Sequence, residues 1–211
     1  MTINSGKQKY FYPNRMGRVV LLAMEEVLGH SGVNTVLNLV DLPVYIDNYP
    51  PYDQDLKFPF AHISHLQSGL ETVYGPRAGR GLAVRIGRAC FKYGLRQFGP
   101  EEGLTDLAFR LLPLQAKLKT GSEAFAAIFN NYTDQKVRLE SDKKYIFWHI
   151  ERCPLCWERQ SDDPCCHLAV GLLQEALFWI SGGKYFEVKE KHCIACGDGD
   201  CAILIDRTPT G

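Results

Sequence analysis

Hydrophobic residues recur at helical spacing through most of the first two thirds of the chain. The first helix is expected to begin at Asn14, a residue type that caps helices, and to end near Gly29. A second apolar run covers residues 33–40, and residues 45–59 are expected to form an irregular loop. Further helices are predicted over residues 61–74, 77–98, 104–118 and 122–132, the last with Ser122 as its N-cap.

The last third of the chain combines alternating strand-like segments with one strongly amphipathic helix. The pattern predicts a helix over residues 167–181 and strands over residues 136–140, 145–151, 185–190 and 201–206. The polar break between the first two strands predicts a β-hairpin. The sum is a single α+β domain over residues 1–211, in which a helical N-terminal part packs on a roughly four-stranded antiparallel sheet.

Four glycines interrupt the predicted helix over residues 77–98. Each glycine costs about 1 kcal/mol in a helix interior relative to alanine, so a compensating role is expected for Gly79, Gly81, Gly87 and Gly94. Close packing against a neighbouring helix is the favoured explanation, and close approach of a ligand is the other.

Charge and hydropathy exclude several classes of protein. The chain carries 24 basic and 24 acidic residues and therefore has no net charge, so no nucleic-acid partner is expected. No apolar stretch is long enough for a membrane span, and the N-terminus lacks the apolar centre of a signal peptide. We therefore expect a cytoplasmic protein.

Cysteine is the strongest chemical signal, because seven of the eight cysteines fall between Cys153 and Cys201. In a reducing compartment such a cluster more often binds metal or performs redox chemistry than forms disulfides. A strand ending at Glu190, a glycine-rich turn and a strand beginning at Cys201 would bring Glu190, Cys193 and Cys201 together. A donor at the start of the helix over residues 167–181 completes the four ligands that a structural zinc requires, and Cys166 is the preferred residue.

The same region resembles the 4-vinyl reductase domain family between about residues 148 and 206. The resemblance rests on the pattern Cys166-x4-Gly171, on Gly182 and Gly183, and on Glu190-x2-Cys193-x2-Cys196-Gly197-Asp198-x2-Cys201. Proteins of this family include the effector-binding domains of phenol- and xylene-sensing transcription activators. The additional pair Cys153-x2-Cys156 is more similar to the proteins of this family from photosynthetic bacteria that are linked to bacteriochlorophyll synthesis.

The resemblance implies a fold, a metal and a ligand class. The family fold is α+β and commonly dimeric, is shared with subunits of the vesicle-tethering trafficking complex, and resembles haem-based nitric-oxide sensor domains. The zinc ligands of the sensor domains correspond to Cys166, Glu190, Cys193 and Cys201. The implied ligand is a hydrophobic small molecule, with a tetrapyrrole precursor of bacteriochlorophyll as one candidate. A homodimer is expected.

We expect the ligand pocket to lie between the glycine-rich helix and the sheet. Its predicted lining comprises Ala83, Ile86, Cys90, Phe91, Phe147 and Trp148. A pocket of this kind is mostly apolar with a few polar groups.

Two other functions remain open from the sequence. The first is a reductase whose iron–sulfur cluster is held by Cys153, Cys156, Cys193 and either Cys196 or Cys201, because thiolates suit iron as well as zinc. Whether the protein is an enzyme at all is not decided, since the chain carries no dinucleotide-binding fingerprint and electrons would have to come from elsewhere. The second is a structural subunit of an assembly. The helix-start ligand is also open among Cys165, Cys166 and His167.

Overall fold

A computed structural model describes residues 9–98, 109 and 111–210 of the chain. The elements in chain order are β1 (Phe11–Pro13), α1 (Asn14–Leu39), β2 (Leu56–Pro59), α2 (Phe60–Tyr74), α3 (Pro76–Phe98), α4 (Leu114–Tyr132), β3 (Lys136–Ser141), β4 (Tyr145–Arg152), α5 (His167–Ser181), β5 (Phe186–His192) and β6 (Cys201–Pro209). Of the helix predicted over residues 104–118, residues 104–108 and 110 lie outside the described residues; residues 111–113 are not helical, and residues from Leu114 onward belong to α4.

The second half of the chain forms a four-stranded antiparallel sheet in the order β3-β4-β6-β5. On β4, Ile146, Trp148 and Ile150 are buried while the residues between them are more exposed, which is the alternation of a sheet with one face on the core. The predicted α+β class and the antiparallel sheet are confirmed.

Two glycines set the distance between α3 and α5. A Cβ atom on Gly87 would overlap the carbonyl oxygen of Leu168, and one on Gly171 would overlap the carbonyl oxygen of Val84. Only glycine permits this close contact of the two helix backbones. Close packing is thereby confirmed as the role of Gly87, whereas a Cβ atom on Gly81 would meet no described atom within 4 Å.

The N-terminal half differs from the sequence prediction in several details. The helix predicted to end near Gly29 continues to Leu39 as α1, with a kink at Gly29 (φ 70°, ψ 164°), so the apolar run over residues 33–40 belongs mostly to the same element. Pro13 precedes the first turn, and Asn14 instead hydrogen-bonds Asp53.

The other differences concern short strands and a helix start. The segment predicted as a loop ends in β2, which pairs with β1. Ser122 lies inside α4, which begins eight residues earlier at Leu114. The strands β1 and β2 are each too short for an alternating pattern to be recognised in the sequence.

Candidate functional site

Six potential metal ligands meet at one edge of the sheet. Cys153 directly follows β4, Cys193 directly follows β5, and Cys201 begins β6. The antiparallel register aligns these strand ends, since Ile150 pairs with Cys201 and His192 pairs with Ala202. The start of α5 lies against the same edge. The ligand set is therefore Cys153, Cys156, Cys166, Glu190, Cys193 and Cys201.

The sulfur atoms of this set lie at distances that suit a shared ion. The Sγ atom of Cys166 lies 3.5 Å from that of Cys153, 3.8 Å from that of Cys201 and 3.9 Å from that of Cys193. The Cys156–Cys201 and Cys193–Cys201 distances are 3.4 and 4.0 Å. Four thiolates around a tetrahedral zinc with Zn–S bonds near 2.3 Å are separated by about 3.8 Å. All eight cysteine thiols are free.

The ligand atoms form two groups of four that share two members. One group contains Cys166, Glu190, Cys193 and Cys201, and the other contains Cys153, Cys156, Cys166 and Cys201; within each group all four ligand atoms lie within 4.8 Å of one another. The structure thus brings together the four residues that the sequence predicts as zinc ligands. It also places Cys153 and Cys156 beside them.

At the helix start, the structure places Cys166 rather than its neighbours in both groups. The six potential ligands are called the thiolate centre below. Cys166 directly precedes α5, and its Sγ atom points into this centre. The Sγ atom of Cys165 lies 3.8 Å from that of Cys193, but Cys165 belongs to neither group, and neither does His167. Cys196 is exposed and also lies outside both groups. The iron–sulfur ligand set that includes Cys196 is therefore not brought together.

Glu190 is held with one carboxylate oxygen toward the sulfur atoms. Its Oε2 accepts a hydrogen bond from the backbone N–H of Cys166 at 2.7 Å, which fixes the side chain. Its Oε1 is buried and has no hydrogen-bond partner among the described residues. Burial and, after it, the charge of Cys193 raise the pKa of Glu190 to about 8. A buried unpaired carboxylate oxygen is costly unless a cation binds it.

The turn between β5 and β6 supports the centre with backbone groups. The N–H of Ile194 donates to the Sγ atom of Cys201 at 3.3 Å, and the N–H of Cys193 donates to Asp198 at 2.7 Å. Gly197 adopts a left-handed conformation with φ 97°, which is why this turn requires glycine. Hydrogen bonds from N–H groups to sulfur favour the thiolate form that binds metal.

An apolar cavity of about 90 Å³ lies beside this centre, between the helices and the buried face of the sheet. It is lined mainly by aliphatic and aromatic side chains from α1, α3, α4, α5 and β4. The lining includes Met16, Val19, Val20, Ile63, Cys90, Phe91, Gly94, Phe125, Ile128, Phe129, Trp148, Leu155, Leu168, Ala169, Leu172 and Leu173. The polar exceptions are Tyr12 and Gln135, whose hydroxyl and amide oxygen hydrogen-bond each other.

The predicted pocket residues fall into three groups. Cys90, Phe91 and Trp148 line the cavity. Ala83 and Ile86 are buried on α3 but are not among the lining residues. Phe147 lies on the opposite face of the sheet, where its ring stacks on His149, because side chains alternate along β4. Burial raises the pKa of Cys90 to about 12, so its thiol is neutral.

Most lining residues could not be found from the sequence, because they come from elements far apart in the chain. Met16 and Phe125 belong to ordinary amphipathic helix patterns, and nothing local separates cavity-lining residues from core residues. Gly94 is the exception, because a glycine inside a predicted helix indicates close packing or close approach of a ligand. A Cβ atom on Gly94 would meet no described atom within 4 Å.

The cavity and the thiolate centre share a wall. Leu155, which lies between Cys153 and Cys156 in the chain, lines the cavity, and so does Leu168 next to the start of α5. The buried side chain of Gln67 joins these segments. Its amide nitrogen donates to the carbonyl oxygen of Leu155 at 3.2 Å, and its oxygen accepts from the N–H of Leu168 at 3.0 Å.

Comparison with known proteins finds similarity among solved structures only. No protein-family model and no curated protein matches the sequence. Among solved structures, the chain is similar to the phenol-responsive sensory domain of the transcription activator PoxR with phenol, at 19% identity and TM-score 0.51 over 70% of this chain and 73% of that one.

Two structures of H-NOX proteins cover more of the chain. The H-NOX protein from K. algicida is 11% identical with TM-score 0.55 over 92% of this chain and 95% of that one. The H-NOX protein from S. oneidensis in the Fe(II)NO state is 11% identical with TM-score 0.53 over 92% and 99%. At these identities the similarity is one of fold. Within the described residues, none of the helices has the length and apolar character needed to cross a bilayer.

The structural similarities show that the chain has the α+β fold found in the PoxR sensory domain and in H-NOX proteins.

Proposed function

We propose that the chain is a ligand-binding domain of the 4-vinyl reductase type. In this proposal the cavity binds a small hydrophobic molecule, and a structural zinc held by Cys166, Glu190, Cys193 and Cys201 orders the wall beside it. The observation that carries the proposal is the apolar cavity adjoining the thiolate centre. The fold is that of a domain whose solved structure contains phenol.

The size and lining of the cavity favour a single aromatic ring as the ligand. A dry protein cavity of about 150 Å³ lined by Leu, Ile and Phe binds benzene, and the volume here is about 90 Å³. The rings of Phe125, Phe129 and Trp148 offer edge and face contacts to an aromatic ligand. Tyr12 and Gln135 are the groups that would bond a ligand hydroxyl. A tetrapyrrole would require the helices to separate.

The sulfur distances favour zinc over an iron–sulfur cluster. Four thiolates that hold an iron–sulfur cubane each bind a different iron, so they lie farther apart than four thiolates on one ion. The distances of 3.8 to 4.0 Å among the sulfur atoms of Cys166, Cys193 and Cys201 match a single tetrahedral ion instead. Zinc with a complete set of four protein ligands serves structure rather than catalysis.

Calorimetric titration with phenol tests the ligand site. Leucine at Gly94 would fill open space in the cavity, so Gly94→Leu should lose phenol binding and keep its zinc. Gly81→Leu is the matched control, because it places the same side chain on α3 at an exposed position. Equal phenol affinity in the two variants, or no binding of any single-ring aromatic compound to the wild type, would contradict the proposal.

The expected homodimer stays a prediction. Light scattering coupled to size exclusion gives the mass in solution directly. A mass of twice 23.8 kDa is expected.

A further inference from the structure

The zinc site proposed above leaves a second group of four ligands unused. Cys153 and Cys156 lie with Cys166 and Cys201 in a group whose four sulfur atoms are within 4.8 Å of one another, and all four residues are buried. We propose that the centre binds two metal ions that share the thiolates of Cys166 and Cys201. This inference rests on the proposed zinc site and adds a second ion to it.

The geometry assigns the ligands of each ion. Cys153 and Cys156 are the terminal ligands of one ion, and Glu190 and Cys193 are those of the other. Two tetrahedra that share an edge place the bridging sulfurs one edge apart, and the 3.8 Å between Cys166 and Cys201 equals that edge. Two zinc ions with four ligands each would otherwise need eight ligands, whereas bridging reduces the number to six.

The spacing and contacts of Cys153 and Cys156 support their role as ligands. Two cysteines separated by two residues are a common ligand pair for one zinc ion. Each contacts one of the bridging sulfurs, Cys153 at 3.5 Å from Cys166 and Cys156 at 3.4 Å from Cys201. Cys90, by contrast, is a buried thiol that lines the apolar cavity and belongs to neither ligand group.

The charge of the buried centre does not increase with the second ion. One dication with three thiolates and one carboxylate has a net charge of −2. Two dications with five thiolates and one carboxylate also have a net charge of −2. The second ion therefore replaces the protons of Cys153 and Cys156 without adding buried charge, which is the condition for burying more ionised ligands at little electrostatic cost.

Metal analysis of variants tests the assignment. Purified wild-type protein saturated with zinc should contain two zinc ions per chain. Cys153→Ser should contain one, because only the group with Glu190 and Cys193 stays complete, and Cys193→Ser should contain one for the converse reason. Cys165→Ser, which changes a buried neighbouring thiol outside both groups, should retain two.

Cobalt titration of the wild-type chain gives a second readout that depends on no variant. The first equivalent of Co²⁺ should give the electron paramagnetic resonance signal of an isolated tetrahedral ion. The second equivalent should weaken that signal, because bridging thiolates couple the two spins. A signal that simply doubles would mean two separate sites and would overturn the bridged centre.

The stoichiometries also separate this inference from the proposed function. One zinc per chain that persists in Cys153→Ser would overturn the second ion and leave the site with Glu190 and Cys193 intact. One zinc that is lost in Cys153→Ser but kept in Cys193→Ser would overturn both, in favour of a single ion held by four cysteines. Stoichiometric iron with sulfide would also overturn both.

Discussion

The cavity and the thiolate centre lie side by side but are built in opposite ways. The cavity takes its lining from five helices and the sheet, with contributors from Tyr12 to Leu173. The centre takes all six potential metal ligands from residues 153–201, at or near the ends of three strands and one helix. The cavity therefore depends on the packing of the whole domain, whereas the centre depends on a short segment and its register.

This difference determines how each region responds to substitution. A cavity surrounded by many apolar side chains loses a fraction of its contacts when one residue changes, and its neighbours can partly adjust. A tetrahedral site loses one quarter of its ligands with each substitution. Loss of a ligand should therefore have larger effects than substitution of a cavity residue.

The largest effect is expected from Cys201→Ser. Cys201 belongs to both ligand groups, so its loss should remove the bound metal and lower the free energy of unfolding by at least about 4 kcal/mol, the range in which loss of a metal site falls. Zinc content and thermal unfolding measure the two effects together. Cys196→Ser in the same turn is exposed and should change neither. A Cys201→Ser variant that kept its zinc and its stability would show that the centre is no more sensitive to substitution than the cavity.

A smaller effect is expected when the close contact between α3 and α5 beside the cavity is disrupted. Gly87→Ala forces α3 away from the carbonyl oxygen of Leu168 and should destabilise the domain by about 3 kcal/mol, with weaker phenol binding. Gly81→Ala on the same helix meets no described atom and should stabilise it by about 1 kcal/mol. Chemical denaturation measures the change in the free energy of unfolding in both variants, and the two changes should have opposite signs. Equal changes would show that the close contact of the helices is unimportant.

The smallest effect concerns protons released by zinc. Because the pKa of Glu190 is raised to about 8, the carboxyl of the metal-free protein is protonated below that pH, and zinc must displace its proton. Proton release per zinc, measured by calorimetry in buffers of different ionisation enthalpy, should therefore fall by about one as the pH rises through 8. Zinc affinity should weaken correspondingly as the pH falls. Glu190→Gln should lack this step.

The sequence predicts the two halves of the fold with unequal success. Helix 167–181 and the hairpin around residues 141–144 match α5 and β3-β4, because long amphipathic or alternating segments carry the period of their element. The continuation of α1 past Gly29 could not be predicted, since packing of its second half on the core overrides a local break. The three- and four-residue strands β1 and β2 have no detectable period.

The same reasoning explains which site residues the sequence reveals. Cysteines, a glutamate and glycines at short spacing indicate a metal site by chemistry alone, and the four ligands predicted from them meet in space. Whether Cys153 and Cys156 join them depends on the path of the chain from β4 to α5, which no spacing rule gives. Phe147 and Trp148 were equal candidates for the pocket, and only the strand register shows that Trp148 faces it.

The position of Leu155 would couple the two binding equilibria proposed for this chain. One short segment, Cys153 to Cys156, has to be ordered both for the metal centre and for the cavity wall that Leu155 forms. Ordering this segment for one ligand lowers the conformational entropy that the other must still remove. If zinc raises the affinity for an aromatic ligand by some factor, the aromatic ligand raises the affinity for zinc by the same factor. Under the proposed function, the domain would respond to two chemicals at once, and its response to either would depend on the supply of the other.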